Sequence, residues 1–202
     1  MRISFCILAA FLASGATFTS WAQPKPGQPA PDFTATDIQG KTHKLGDYGG
    51  KIVVLETFSL ECPFSANHYK SGAMQALQGA VVNKGVIWLT VNSAPTSSPG
   101  YRKPDAAAKE FKSLAMKATA WIDDHSGDLA RKYGFKTTPQ IFVISQQGLL
   151  AYQGAIDDRP ESTGDPRTAR NFARAAIEAL LASKPVATAE TKPYGTAVRL
   201  GP

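Results

Sequence analysis

A chain of 202 residues with a formal net charge of +6 is long enough for one domain with a full core, and 43% hydrophobic residues is too many for a disordered polypeptide. Its basic residues are scattered from Lys51 to Lys132 among acidic ones, the pattern of a solvated surface, so nucleic acid is not an expected partner. Only two cysteines, Cys6 and Cys62, limit the disulfide chemistry available.

Residues 1–22 read as a signal peptide. Arg2 supplies the positive start, Ile3 to Phe18 is mostly apolar, and Ser20-Trp21-Ala22 has the small-x-small pattern of a cleavage site after Ala22. The apolar run is too short for a membrane span and is soon followed by Pro24 and Pro26, and no later segment approaches a span. The expectation is an exported protein, periplasmic or secreted. Residues 23–183 would form one domain and 184–202 an extended tail. Cleavage lowers the charge from +6 to +5 and removes Cys6, leaving Cys62 without an internal partner.

Phe33 to Lys44, turning at Gln39-Gly40, predicts a small hairpin. Ile52 to Phe58 reads as a strand, its continuous apolar run suggesting burial on both faces. Phe64 to Val82 is helical in pattern, with Gly72 bending or interrupting it, and Val86 to Asn92 is a second apolar strand. The Ser/Pro-rich stretch Ser93 to Pro104 predicts a long surface loop, and Asp105 is expected to cap a helix running to about Lys117. Then follow a short strand at Trp121 to Asp123, a helix from Asp128 to Tyr133 closed by Gly134, and a hairpin from Ile141 to Gln153. A polar loop from Ala155 to Pro166 and an amphipathic helix from Arg167 to Ala182 precede the tail. This order gives an α/β fold, a three-layer sandwich around a mixed sheet with an N-terminal β-hairpin.

Cys62 falls where the first strand gives way to the first helix, with Pro63 suited to the first helical turn. Unpaired N–H groups and the helix dipole there favour thiolate over thiol. A buried, inert cysteine is the competing reading, and the junction position favours a reactive one.

Two segments together resemble the thioredoxin superfamily: Cys62-Pro63-Phe64-Ser65 at a helix start, and Thr137-Thr138-Pro139 before the penultimate strand. Within it, Gln28-Pro29-Ala30-Pro31-Asp32-Phe33, Glu61-Cys62-Pro63-Phe64, Gly85 to Ser93, Tyr152 to Asp158 and Gly195 to Val198 are similar to the peroxiredoxin-like redoxins related to alkyl hydroperoxide reductases. The resemblance implies a thioredoxin-like fold, a cis Thr138–Pro139 bond packed against the sulfur, and Thr138 offering backbone groups to a bound peptide or thiol. This chain departs from the family pattern in three places. Leu55 and Ser59 stand where typical peroxiredoxins have Pro and Thr; Ser65 replaces the second cysteine of dithiol thioredoxins; Thr196 stands where many relatives have a tail cysteine.

The expected chemistry is attack by Cys62 on a peroxide or a disulfide, with release by an external thiol, protein or small molecule, since no second cysteine remains. Ser59 and Ser65 are candidates to hydrogen-bond the sulfur, and Thr138-Pro139 to shape the substrate face. Glu61 beside Cys62 would oppose ionisation if its carboxylate faced the sulfur. Arg131 is either a thiolate partner or a surface residue. His43, His68 and His125 are expected on the surface without metal-ligand spacing, Asp157, Asp158, Glu161 and Asp165 in a solvated loop rather than a cation site, and Phe64, Tyr69 and Trp88 in the core. No cofactor or metal is expected. The alternative function is a non-catalytic module that binds peptides or thiols, or senses oxidants.

Overall fold

A computed structural model describes residues 23–201. The proposed signal peptide lies outside the described residues.

Two short antiparallel strands, β1 (Thr34–Thr36) and β2 (Thr42–Lys44), form the N-terminal hairpin. The central sheet has five strands: β3 (Val53–Thr57), β4 (Ile87–Asn92), β5 (Ala120–Asp123), β7 (Gln140–Ile144) and β8 (Leu150–Gly154), in the order β5-β4-β3-β7-β8. β3, β4 and β5 run parallel, while β7 pairs antiparallel with both β3 and β8. A two-stranded piece, β6 (Thr137–Thr138) with β9 (Thr196–Ala197), stands apart from this sheet.

The apolar run at β3 is continuous because the strand is covered on both faces. Val54 and Phe58 point into one layer with α1 (Pro63–Lys70), α2 (Ala73–Val82), α3 (Pro104–Ser113) and α5 (Phe172–Leu181). Val53 and Leu55 point into the other with Phe33 and α4 (Asp128–Tyr133). Strand period two sends alternate residues to opposite faces, and both sets are buried. The result is the expected thioredoxin-like α/β/α sandwich with a mixed sheet.

Gly72, at φ +78°, interrupts the helical stretch and separates α1 from α2, the second of the two expected outcomes. Two other element boundaries differ from expectation. α3 begins at Pro104 behind Lys103 and ends at Ser113, so Asp105 lies within its first turn and is not its cap. Arg167 belongs to a separate turn, Pro166–Thr168, where the Asp165 side chain accepts the Arg167 N–H at 3.0 Å; α5 starts at Phe172, capped by Asn171 accepting from Arg174 N–H at 2.7 Å.

The tail is docked between Ala189 and Val198. Gln153 N–H donates to Ala189 O at 3.0 Å and Thr191 N–H to Gln153 O at 3.1 Å, which lays the tail along β8. It then crosses to β6, with Thr196 opposite Thr138 and Ala197 opposite Thr137.

Candidate active site

Cys62 is the residue that caps α1: extended backbone (φ −86°, ψ 116°), Pro63 in the first turn, and its C=O accepting the Ala66 N–H at 2.9 Å. The side chain is 1% exposed, and it is the free cysteine of the described residues. Its Sγ donates to the Thr138 carbonyl at 2.7 Å. That carbonyl precedes Pro139, and the Thr138–Pro139 bond is cis. Thr57 at the end of β3 fixes this loop, its hydroxyl donating to Thr137 O at 2.6 Å and accepting from Gln140 N–H at 2.7 Å.

Burial opposes ionisation of the Cys62 thiol, and the Thr138 carbonyl can accept only from its protonated form. Hydrogen bonds from the Thr138 and Thr196 hydroxyls and the Ser65 and Thr196 N–H groups favour the thiolate and outweigh this. The net direction is down from the ordinary cysteine value.

The residues expected around the sulfur gather there by different means. Ser65 contributes its backbone N–H; its buried hydroxyl has no hydrogen-bond partner, so the expected hydroxyl-to-sulfur bond is absent. Ser59 lines the cavity at Cys62, and its hydroxyl accepts from Glu61 N–H at 3.3 Å. Glu61 turns its carboxylate outward to Arg102 at 2.9 Å, an exposed pair that draws its charge toward solvent. Arg131 lies on α4, bonds the Ser126 carbonyl and pairs with Asp128 at 3.8 Å, which places it in its surface role. Thr196, read from sequence only as a missing cysteine, is a sulfur contact. The tail pairing that brings it there has no local sequence signal.

A cavity of about 360 Å³ opens onto Cys62. Its walls include Phe58, Val91, Ala94, Pro99, Ala197 and Val198, with Glu61 and Arg199 among its polar lining. The Ser93–Pro104 loop forms one wall and is held in place: Asn92 Nδ2 donates to Gly100 O at 3.0 Å and Ser93 Oγ to Asp124 at 2.6 Å.

Two buried polar clusters escape the sequence reading. Glu56, inward-facing on β3 and fully buried, accepts from Tyr69 (2.9 and 3.0 Å), Gln78 (3.1 Å), Trp88 (2.7 Å) and Thr90 (3.1 Å). Burial pushes its pKa up to about 7, with the four donors only partly compensating. The signal for it was one carboxylate inside an otherwise apolar strand. The second cluster joins His68 of α1, Asp157 after β8 and Tyr194 of the tail. Tyr194 donates to Asp157 Oδ1 at 2.5 Å and lies 3.3 Å from His68 Nε2.

These contacts overturn the surface reading for two histidines. His68 is 4% exposed, and His43 is 2% exposed and bonded to Asp37 at 2.8 Å. His125 is on the surface beside Asp123. Asp157 is likewise buried rather than solvated. Tyr69 and Trp88 are core residues, whereas Phe64 is half-buried against the Tyr194 ring.

Residues 26–153 match the model of the AhpC/TSA family. The chain belongs to that family. Among curated proteins it is similar to thiol-disulfide oxidoreductase ResA of Bacillus cereus, 27% identical over 156 residues that cover 73% of this chain and 84% of that protein. It is also similar to peroxiredoxin-1 of Gallus gallus, 29% identical over 158 residues, covering 71% and 75%. Two solved structures share the fold. An uncharacterized conserved protein from Geobacillus kaustophilus aligns with a TM-score of 0.77 at 24% identity over 91% of this chain and 95% of that one. A hypothetical protein from Sinorhizobium meliloti 1021 aligns with a TM-score of 0.76 at 22% identity over 89% and 97%. The family and its named relatives support an oxidoreductase enzyme built on the thioredoxin-like fold.

Proposed function

We propose that this protein is an exported one-cysteine thiol–disulfide oxidoreductase in which Cys62 is the nucleophile. The observation that carries the proposal is the set of groups converging on Sγ. The α1 N-terminus supplies the Ser65 N–H, the tail supplies Thr196, the loop before Pro139 supplies Thr138, and no second cysteine lies among the described residues.

The Cys62 thiolate attacks one sulfur of a disulfide, forming a mixed disulfide and expelling the other sulfur as thiolate. An external thiol, small or protein-borne, then attacks the mixed disulfide and returns Cys62 to its reduced form. Thr138 and Pro139 shape the face on which the substrate lies, and Pro63 sets the start of α1. Against a peroxide, the same thiolate would take one oxygen to give a sulfenic acid and an alcohol or water, reduced again by two external thiols. The disulfide is favoured because Leu55 and Ser59 stand where typical peroxiredoxins carry the Pro and Thr that flank the peroxide-reacting cysteine. Export rests on the leader pattern of residues 1–22, which is also typical of a protein working where disulfides persist.

The test compares the reaction of reduced protein with 4,4′-dithiodipyridine, insulin-disulfide reduction and peroxide consumption for the wild type and Cys62→Ser. Reaction with a disulfide that vanishes in the variant supports the proposal. No reaction with any of the three substrates leaves the peptide-binding module or redox sensor as the function.

A further inference from the structure

The tail reaches Cys62 as an anchored strand. Tyr194 is the anchor: its hydroxyl bonds Asp157 and His68, and its ring lies 5.8 Å from that of Phe64 on α1. Asp157 and His68 are both buried. The next residue, Gly195, has φ +127°, and a Cβ built there would collide with the Thr138 carbonyl oxygen, the atom that accepts the Cys62 thiol. Only glycine fits at this place. Thr196 and Ala197 then pair antiparallel with β6, and Val198 N–H donates to Lys136 O at 2.9 Å.

The β6 edge beside the sulfur is therefore occupied. An extended peptide from a partner protein would dock on such an edge through main-chain hydrogen bonds, and the tail already makes them. With Cys62 1% exposed, the approach left open is the cavity of about 360 Å³ with its largely apolar walls. That volume is at the small end of pockets for small molecules. It cannot take a strand of a folded partner.

We propose that residues 193–199 act as a selectivity strap. While the strap is docked, Cys62 reacts with small apolar disulfides through the cavity, and a protein disulfide gains access only when the strap lifts from β6. This rests on the reading of Cys62 as a nucleophile toward disulfides. In the step, the Cys62 thiolate attacks one sulfur of R–S–S–R, the Sγ–S bond forms as the S–S bond breaks, and the departing thiolate keeps the electron pair and takes a proton from water.

The experiment measures rate constants at Cys62 for 4,4′-dithiodipyridine and for insulin, using full-length wild type, Gly195→Ala and Tyr194→Phe, with Cys62→Ser as the blank. Both disulfides meet the same sulfur, so any change in thiolate fraction cancels in the insulin-to-small-disulfide ratio. The expected result is a ratio raised about tenfold by Gly195→Ala and by a smaller factor by Tyr194→Phe. Tyr194→Phe removes one hydroxyl only, and keeps the test valid if Gly195→Ala does not fold. An equal ratio in all three proteins overturns the strap and leaves Cys62 reactivity standing. No reaction at Cys62 with either disulfide in any of them overturns the nucleophile reading, and the strap with it.

Discussion

The Cys62 sulfur sits 2.7 Å from the carbonyl oxygen of Thr138, a residue 76 positions later in the chain. The carbonyl accepts from the protonated thiol, while burial opposes ionisation and the groups of Thr138, Thr196 and Ser65 around the sulfur favour the thiolate, with a net lowering of the thiol pKa.

Thr196 is the contributor most easily removed. Thr196→Val deletes the hydroxyl and leaves the backbone pairing of β9 intact. A hydrogen bond to a charged group contributes roughly 1.5–3 kcal/mol, so the thiolate fraction below the thiol pKa should fall about tenfold or more. The rate of alkylation against pH checks this. The wild-type curve should reach its midpoint below the usual cysteine value of about 8.5, and the variant curve should move upward.

Ser65→Ala should do the opposite of what the Cys-x-x-Ser pattern suggests. The Ser65 hydroxyl is buried without a partner, and its N–H, which the substitution keeps, is the group facing the sulfur. The alkylation profile should stay in place, and chemical denaturation should show stability unchanged or raised by about 1 kcal/mol.

Glu56 gives the fold a pH dependence of unusual sign. Its folded pKa of about 7 lies above its ordinary value of 4.5, so the folded state holds the proton more tightly than the unfolded state. This contribution is fully present below about pH 4.5 and is lost as pH rises through about 7, amounting to roughly 3 kcal/mol. Burial lowers the His68 pKa, which acts in the other direction on acidification. Comparison with Glu56→Gln cancels the histidine. The variant should lose stability less steeply than wild type between pH 4.5 and 7, as read from urea midpoints.

Sequence periodicity revealed the layers because β3, β4 and β7 are buried on both faces and so read as predominantly apolar runs. The cysteine at a strand-to-helix junction and Thr138-Pro139 were legible because each is a local pattern. Glu56 was not, since its partners Tyr69, Gln78, Trp88 and Thr90 come from three elements and only the folded chain converges them. His68 and Asp157 were misjudged for a related reason. Each has a polar local sequence, and the Tyr194 tail that covers them arrives from far along the chain. Thr196 reaches the sulfur through the same docking.

The central claim is that Cys62 starts a disulfide exchange it cannot finish alone. Mass spectrometry with peptide mapping, after treating reduced protein with 4,4′-dithiodipyridine near pH 7, tests it most directly. The account predicts a mixed disulfide on Cys62 that persists until an external thiol is added and is then fully reversed. Failure of Cys62 to form the adduct, or loss of the adduct without added thiol, would contradict it.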